Sequence, residues 1–221
     1  MKKTFSLLVS IIFISTFGSF AQDQDPKAKS ILDELSKITK TYKTITSEYI
    51  FTILNKDKKQ TEKQTGKVMV KGSKFKLDIP GNTIVCDGKT IWAHNKDANE
   101  VTIKNFDSNN EDQLNPSKIF TMYETGYKYK YDKEEKVGAA VCHVIILYPS
   151  VKPEKKKFHT VKLFVDKSKK QVSKLVMLMK DGSTQSYEIK TFKANSEITD
   201  NVFVFDLKPF KADQVTDERD L

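Results

Sequence analysis

TIVCDGKTIWAHNKDANEVTI, running from Thr83 to Ile103, reads as three short antiparallel strands on two tight turns. Asp87-Gly88 has the chemistry of a two-residue hairpin turn, because glycine accepts positive φ and aspartate tolerates it. Asp97-Ala98-Asn99 supplies the second turn. Trp92, the only tryptophan, sits mid-strand with Ile91 and Ala93 beside it, so one face of this meander is expected to be apolar. Nothing in the stretch suggests catalysis.

The same alternation extends on both sides. Segments near 45–54, 62–71, 74–79, 83–86, 90–95 and 99–104 are rich in β-branched and aromatic residues, with polar turns between them. A second series follows near 127–132, 140–148, 158–166, 172–180, 184–193 and 202–206. About a dozen strands at regular spacing predict a mainly β protein, one large antiparallel sheet curled into a barrel or half-barrel.

Two segments break the period of two. Asp25-Pro26 is an N-cap followed by proline at the first helical position, and Ile31, Leu35, Ile38 and Tyr42 recur at helical spacing. An amphipathic helix of roughly four turns is expected there. Asn115-Pro116 to Glu124, closed by Gly126, is a second helical signal, too short to be stable alone. Its Ile119, Phe120, Met122 and Tyr123 need an apolar surface to lie on, as a lid or plug does; a plain crossover helix is the alternative.

Residues 1–21 have the pattern of a secretory signal peptide. Lys2-Lys3 form a basic start, Phe5 to Phe17 an apolar run, and Ser19-Phe20-Ala21 a small-x-small cleavage site. Cleavage after Ala21 leaves 22–221 as one exported domain with room for a sizeable core. Removing Lys2 and Lys3 from the 38 basic residues leaves 36 against 29 acidic ones, a net of +7. Lysine excess suits acidic partners, whether anionic lipid headgroups, acidic glycans or nucleic acid, although charged sheet edges account for it more simply. Export and the lack of any reading motif argue against nucleic acid. Cys86 and Cys142 lie inside apolar strand patterns, and both a disulfide and two buried free thiols fit them.

Phe75-Lys76-Leu77-Asp78-Ile79 alternates apolar and charged residues strictly, so one face of that strand is dry. Val68 and Val70 continue the pattern, as do Phe203 and Phe205. Val144 to Leu147 and Leu175 to Met179 are apolar on both faces. A filled core and an open cavity both fit these residues.

Cys86-Asp87-Gly88-Lys89-Thr90-Ile91-Trp92, with Glu100-Val101-Thr102 after the next turn, resembles the centre of the LolA family of periplasmic outer-membrane lipoprotein carriers. The N-terminal helix, Gly66 to Lys71, the Asn115 to Phe120 helix, Phe203-Val204-Phe205 and Val215 to Arg219 agree in order. The resemblance implies an incomplete antiparallel barrel whose short helices cover an apolar cavity for lipoprotein acyl chains. It implies a lipid-binding lining of Leu35, Ile38, Phe75, Leu77, Ile79, Trp92, Phe203 and Phe205, under a lid of Ile119, Phe120, Met122 and Tyr123. The implied partners are acylated lipoproteins, an inner-membrane lipoprotein-releasing transporter and an outer-membrane receptor. The protein is then a periplasmic monomer with no cofactor. Many members latch the lid with an arginine after the Val-Lys pair, where this chain has Gly72-Ser73.

Two other classes compete with this reading. His94, His143 and His159 have no metal-binding spacing, and no Gly-x-Ser-x-Gly elbow occurs, so an enzyme is not expected. A lipid- or lipoprotein-sensing regulator on a similar half-barrel is the alternative function, although such regulators usually add a second domain.

Overall fold

A computed structural model describes residues 24–107, 116 and 122–220. The signal-peptide pattern and the lid residues Ile119 and Phe120 lie outside the described residues. Among the described residues, one α-helix, α1 (Pro26–Thr39), precedes twelve strands. The first meander is β1 (Thr44–Leu54), β2 (Gln60–Lys71), β3 (Lys74–Ile79), β4 (Asn82–Cys86), β5 (Thr90–Asn95) and β6 (Glu100–Asn105). The second is β7 (Tyr127–Val137), β8 (Ala140–Pro149), β9 (Phe158–Asp166), β10 (Val172–Met179) and β11 (Thr184–Ala194); β12 (Val215–Asp217) closes the chain.

All twelve strands form one sheet in the order β12-β6-β5-β4-β3-β2-β1-β11-β10-β9-β8-β7. The meanders are joined by antiparallel pairing of β1 with β11, from Ile45↔Ala194 to Leu54↔Thr184. β7 and β12 stand at opposite edges, so the sheet is an incomplete barrel. Every strand pairing is antiparallel except that of β12 with β6.

Three local expectations are corrected. The strand expected at 202–206 does not form: Asp200–Phe203 is a short 3-10 helix, and the edge strand comes later, at 215–217. Asp87-Gly88 is not a two-residue hairpin, because Cys86 pairs with Ile91 and the connection is longer. Its aspartate works through its side chain, Oδ1 accepting from Lys89 N and Thr90 N at 2.8 Å each, while Gly88 takes φ +97°. Finally, Trp92 does not share a face with Ile91 and Ala93. Trp92 is aligned with Val85 and Ile103, whereas Ile91 is aligned with Cys86 and, through it, with Phe75. Neighbours on a strand point to opposite faces, so both faces of this meander carry apolar residues.

Helix α1 begins as its sequence predicts. Asp25 Oδ1 accepts from Lys27 N at 2.8 Å and from Ala28 N at 3.1 Å, and Pro26 follows at N1. Ala28, Leu32 and Leu35 form its buried stripe. They pack into the concave face against Ile45, Phe75, Ile91, Ile145, Leu163 and others in one continuous core. Tyr42 lies beyond the helix, its ring 5.7 Å from that of Phe192.

Midway along the concave face, Gly66 is opposite Tyr49 and leaves room for its ring. A Cβ on Gly66 would lie 2.5 Å from the ring carbon Cζ and the hydroxyl of Tyr49. Tyr49 is buried and packed 5.8 Å from Tyr187, so the ring has little room to yield. Gly66→Ala is expected to destabilise the protein by about 1–3 kcal/mol in urea unfolding. In a Tyr49→Ala background the same change should cost nothing, and an equal cost in both backgrounds would refute this account.

Candidate functional site

Along the concave face, burial falls from one end of the strands to the other. At the helix end Ile45, Phe75, Cys86 and Leu175 are buried in the cluster that holds Leu32 and Leu35. Two to four residues further along the same face on β3, β4 and β10 stand Leu77, Ile79, Ile84 and Met177, and six and eight residues beyond Ile45 on β1 stand Phe51 and Ile53, all only half-buried. Leu77 faces Ile84 across the β3–β4 ladder, and the Phe51 and Tyr187 rings meet at 4.9 Å. On β8 and β9 the covering reaches further, because Leu147 and Val161 belong to the sealed cluster along with Tyr123. The result is an apolar trough, closed by the protein's own side chains at one end and partly open at the other. Gln64, opposite Phe51, and Asn82, opposite Ile79, give its open end a polar margin.

The sequence-derived lining is split by this geometry. Leu35 is fully buried in the core and Ile38 half-buried on α1; Phe75, Leu77 and Ile79 share the concave face. Trp92, Phe203 and Phe205 are on the convex side. There residues 195–214 cross the outside of β3, β4, β5 and β6 as a strap. Phe205 stacks on Trp92 at 6.4 Å and 8° and on Phe210 at 5.8 Å, while His94 meets Phe210 edge-on at 4.9 Å. Phe203 is fully buried, and Asp200 accepts from Lys71 Nζ at 2.8 Å and Lys74 Nζ at 3.0 Å. Alternation along Phe203-Val204-Phe205 is the same whichever face of the sheet it covers, which is why the sequence did not separate the two sets. Phe51, Ile53, Ile84 and Tyr187 were missed, although each follows by register once Phe75 and Leu77 are placed.

Of the lid residues, Met122 and Tyr123 stand in a single 3-10 turn, Met122–Glu124. Tyr123 is buried, and its hydroxyl donates to the Leu32 carbonyl of α1 at 2.8 Å. Burial pushes its phenol well above the usual range. Glu124 accepts from Ser36 Oγ and pairs with Lys40 Nζ at 2.7 Å. The turn is therefore fastened to α1 itself. Outside this latch lies a polar recess of about 400 Å³ among Lys29, Asp33, Lys37, Lys40, Glu124 and Tyr129.

Nothing in the described residues resembles a reaction centre. Among them no group of three His, Cys, Asp or Glu side chains could hold a metal ion, and no helix is long and apolar enough to cross a membrane. Cys86 and Cys142 are both free and buried. They lie on opposite faces, Cys86 with the concave core and Cys142 with Val144 and Phe164. Burial pushes the Cys86 thiol up to about 11 and raises that of Cys142, which makes both poor nucleophiles.

Comparison with known proteins agrees with this architecture. The family model described as outer membrane lipoprotein carrier protein LolA matches residues 40–206. An uncharacterised conserved protein from Thermus thermophilus has a similar structure, with a TM-score of 0.57 at 14% identity over 87% of this chain and 99% of its own. LprF from Mycobacterium bovis gives a TM-score of 0.50 at 12% identity, over 80% of this chain and 97% of its own. Both likenesses are of fold. In sequence, the uncharacterised protein MJ0687 of Methanocaldococcus jannaschii is 29% identical over 137 residues, 61% of this chain. The chain spans only 38% of that curated relative's length.

The latch has a defined pH dependence. The bonds from Lys40 and then Ser36 hold the Glu124 carboxyl below its ordinary range. A carboxyl depressed in the folded state stabilises it above the unfolded value, about 4.3, and that contribution disappears as pH falls through the folded value. Amide exchange at residues 122–124 and the C-terminal turn of α1 should therefore accelerate as pH falls below about 4, after correction for intrinsic rates. Glu124→Gln should remove that acceleration; a wild-type dependence retained in the variant would exclude Glu124 as its source.

Proposed function

The chain belongs to the LolA family of outer membrane lipoprotein carrier proteins, and on that premise we propose that its half-open trough shields the acyl chains of lipoproteins. Members of this family act as carriers or binding proteins. The observation that carries the reading is the fall in burial from Phe75 to Leu77 and Ile79 along one face of one strand, repeated on β1, β4 and β10. A protein that needed this surface only for its own core would gain by filling it. Left half-covered, it can take an apolar guest.

Each methylene transferred from water contributes about 0.8 kcal/mol, so a long acyl chain carries on the order of 10 kcal/mol. Crossing an aqueous compartment exposed is prohibitive at that cost. A trough lined by Phe51, Leu77, Ile79, Ile84 and Met177 offsets it without covalent chemistry. Met177 suits guests of varied shape, because its thioether chain is unbranched and adaptable. Leu35, Ile38 and Phe75 form the floor against which the chain ends would stop. Trp92, Phe203 and Phe205 serve the strap instead.

In this reading the protein works in the periplasm. It takes lipoproteins from an inner-membrane releasing transporter and gives them up at the outer membrane, directly or to a receptor. Met122 and Tyr123 belong to the lid, which the Tyr123 and Glu124 bonds latch to α1. Release requires only that lid and guest compete for the same apolar surface.

Titration with a palmitoylated peptide tests the proposal. Wild-type protein should bind it, and Leu77→Glu with Ile79→Glu should weaken binding at least tenfold, since a carboxylate cannot face a hydrocarbon chain unpaired. Trp92→Ala should leave the affinity within about twofold, because that ring lies outside the trough. No binding by folded wild-type protein, or a loss at Trp92 equal to that at Leu77 and Ile79, would refute it.

A further inference from the structure

Three turns meet at the open end of the trough. Lys56, Lys58 and Lys59 lie between β1 and β2, Lys152 and Lys155 to Lys157 between β8 and β9, and Lys180 between β10 and β11. Hydrogen bonds join them into one surface. Lys58 Nζ donates to the Thr184 hydroxyl at 3.1 Å and the Gly182 carbonyl at 3.4 Å. Lys180 Nζ donates to the carbonyls of Pro153 and Glu154 at 2.7 and 3.1 Å, and Lys180 N to the Lys157 carbonyl at 2.9 Å. These acceptors are neutral, so the ammonium charges of Lys58 and Lys180 stay uncompensated. The turns hold eight lysines against three carboxylates, Asp57, Glu154 and Asp181.

Away from this end, carboxylates match much of the lysine charge. Lys71 and Lys74 share Asp200, Lys104 pairs with Glu218, Lys167 with Glu134 and Lys170 with Glu34. Among the described residues, excess positive charge is thus concentrated where the apolar trough opens. Among these lysines two apolar groups project: Val151 is 46% exposed and Tyr148 37%.

We infer that this lysine-rich end is a docking surface for an anionic lipid bilayer, which turns the mouth of the trough toward the membrane. Lysine is a mobile point charge suited to a diffuse anionic surface, whereas recognition of individual carboxylates or phosphates favours arginine. The chain has a single arginine, Arg219, on the C-terminal segment beside β12. Apolar tips set among lysines suit the headgroup boundary of a bilayer. Each lysine brought to an anionic leaflet strengthens partitioning by about fivefold at moderate salt. The purpose of docking rests on the proposed acyl carriage, but its measurement does not.

Co-sedimentation of the purified protein with vesicles tests the inference. Vesicles of phosphatidylcholine with a third phosphatidylglycerol should bind the protein, pure phosphatidylcholine should not, and 0.5 M NaCl should abolish binding. Lys152→Glu, Lys155→Glu and Lys157→Glu together should reduce it by about a hundredfold or more. An equal reversal away from the mouth, at Lys89, Lys136 and Lys169, should cost less than tenfold. Equal losses in the two triple variants, or binding to polyglutamate without binding to the anionic vesicles, would overturn the inference. The mouth variant should still bind palmitoylated peptide in solution, so failure to dock and failure to carry acyl chains are separate results.

Discussion

A mismatch of areas governs this structure. Twelve strands at about 4.8 Å spacing make a sheet roughly 53 Å wide, whereas the fourteen residues of α1 give a rod about 21 Å long and 10 Å across. Such a helix cannot cover the concave face of such a sheet. It seals the end where Ile45, Phe75, Cys86 and Leu163 converge and leaves the side chains at the other end half-buried. Curling reduces the deficit, but β7 and β12 do not meet, and the sheet stops short of closure. The half-covered trough is what remains.

The convex face solves the same problem differently. It too is apolar near β3, β4, β5 and β6, and the chain covers it with its own C-terminal strap. Phe203 is sunk completely, Phe205 is stacked between Trp92 and Phe210, and the lysine pair at Asp200 fastens the crossing where it begins. One face is thus closed by covalently attached sequence and the other only in part. This asymmetry distinguishes a surface that holds the fold together from one left half-covered. The fates of the cysteines follow from it: with one thiol on each side of the sheet, the fold keeps them apart.

The latch at Tyr123 and Glu124 bears on how an opening could be controlled. Its bonds run to the backbone of α1 at Leu32 and to the side chains of Ser36 and Lys40, close to Leu35. The Met122–Glu124 turn is therefore mechanically coupled to the helix that seals one end of the trough. Gly72-Ser73 takes no part in this attachment. Among the described residues, the Met122–Glu124 turn is fastened to α1.

Much of this was legible in residue order. Period-two alternation from Thr44 onward, the Asp25-Pro26 cap and the turn residues between strands specify a helix followed by a large antiparallel sheet, since these signals depend only on neighbours along the chain. The family was legible too, in Cys86 to Trp92 and the segments around it. What sequence could not assign was the side of the sheet on which each apolar residue falls. Trp92 and Ile91 are adjacent and equally apolar, and Phe205 alternates as cleanly as Leu77. Only the pairing of Cys86 with both Phe75 and Ile91, and the path of residues 195–214 over the outer face, decides that Leu77 looks into the trough and Trp92 away from it. Alternation fixes that successive side chains diverge; which direction is inward depends on where distant segments pack, and that is a property of the folded chain alone.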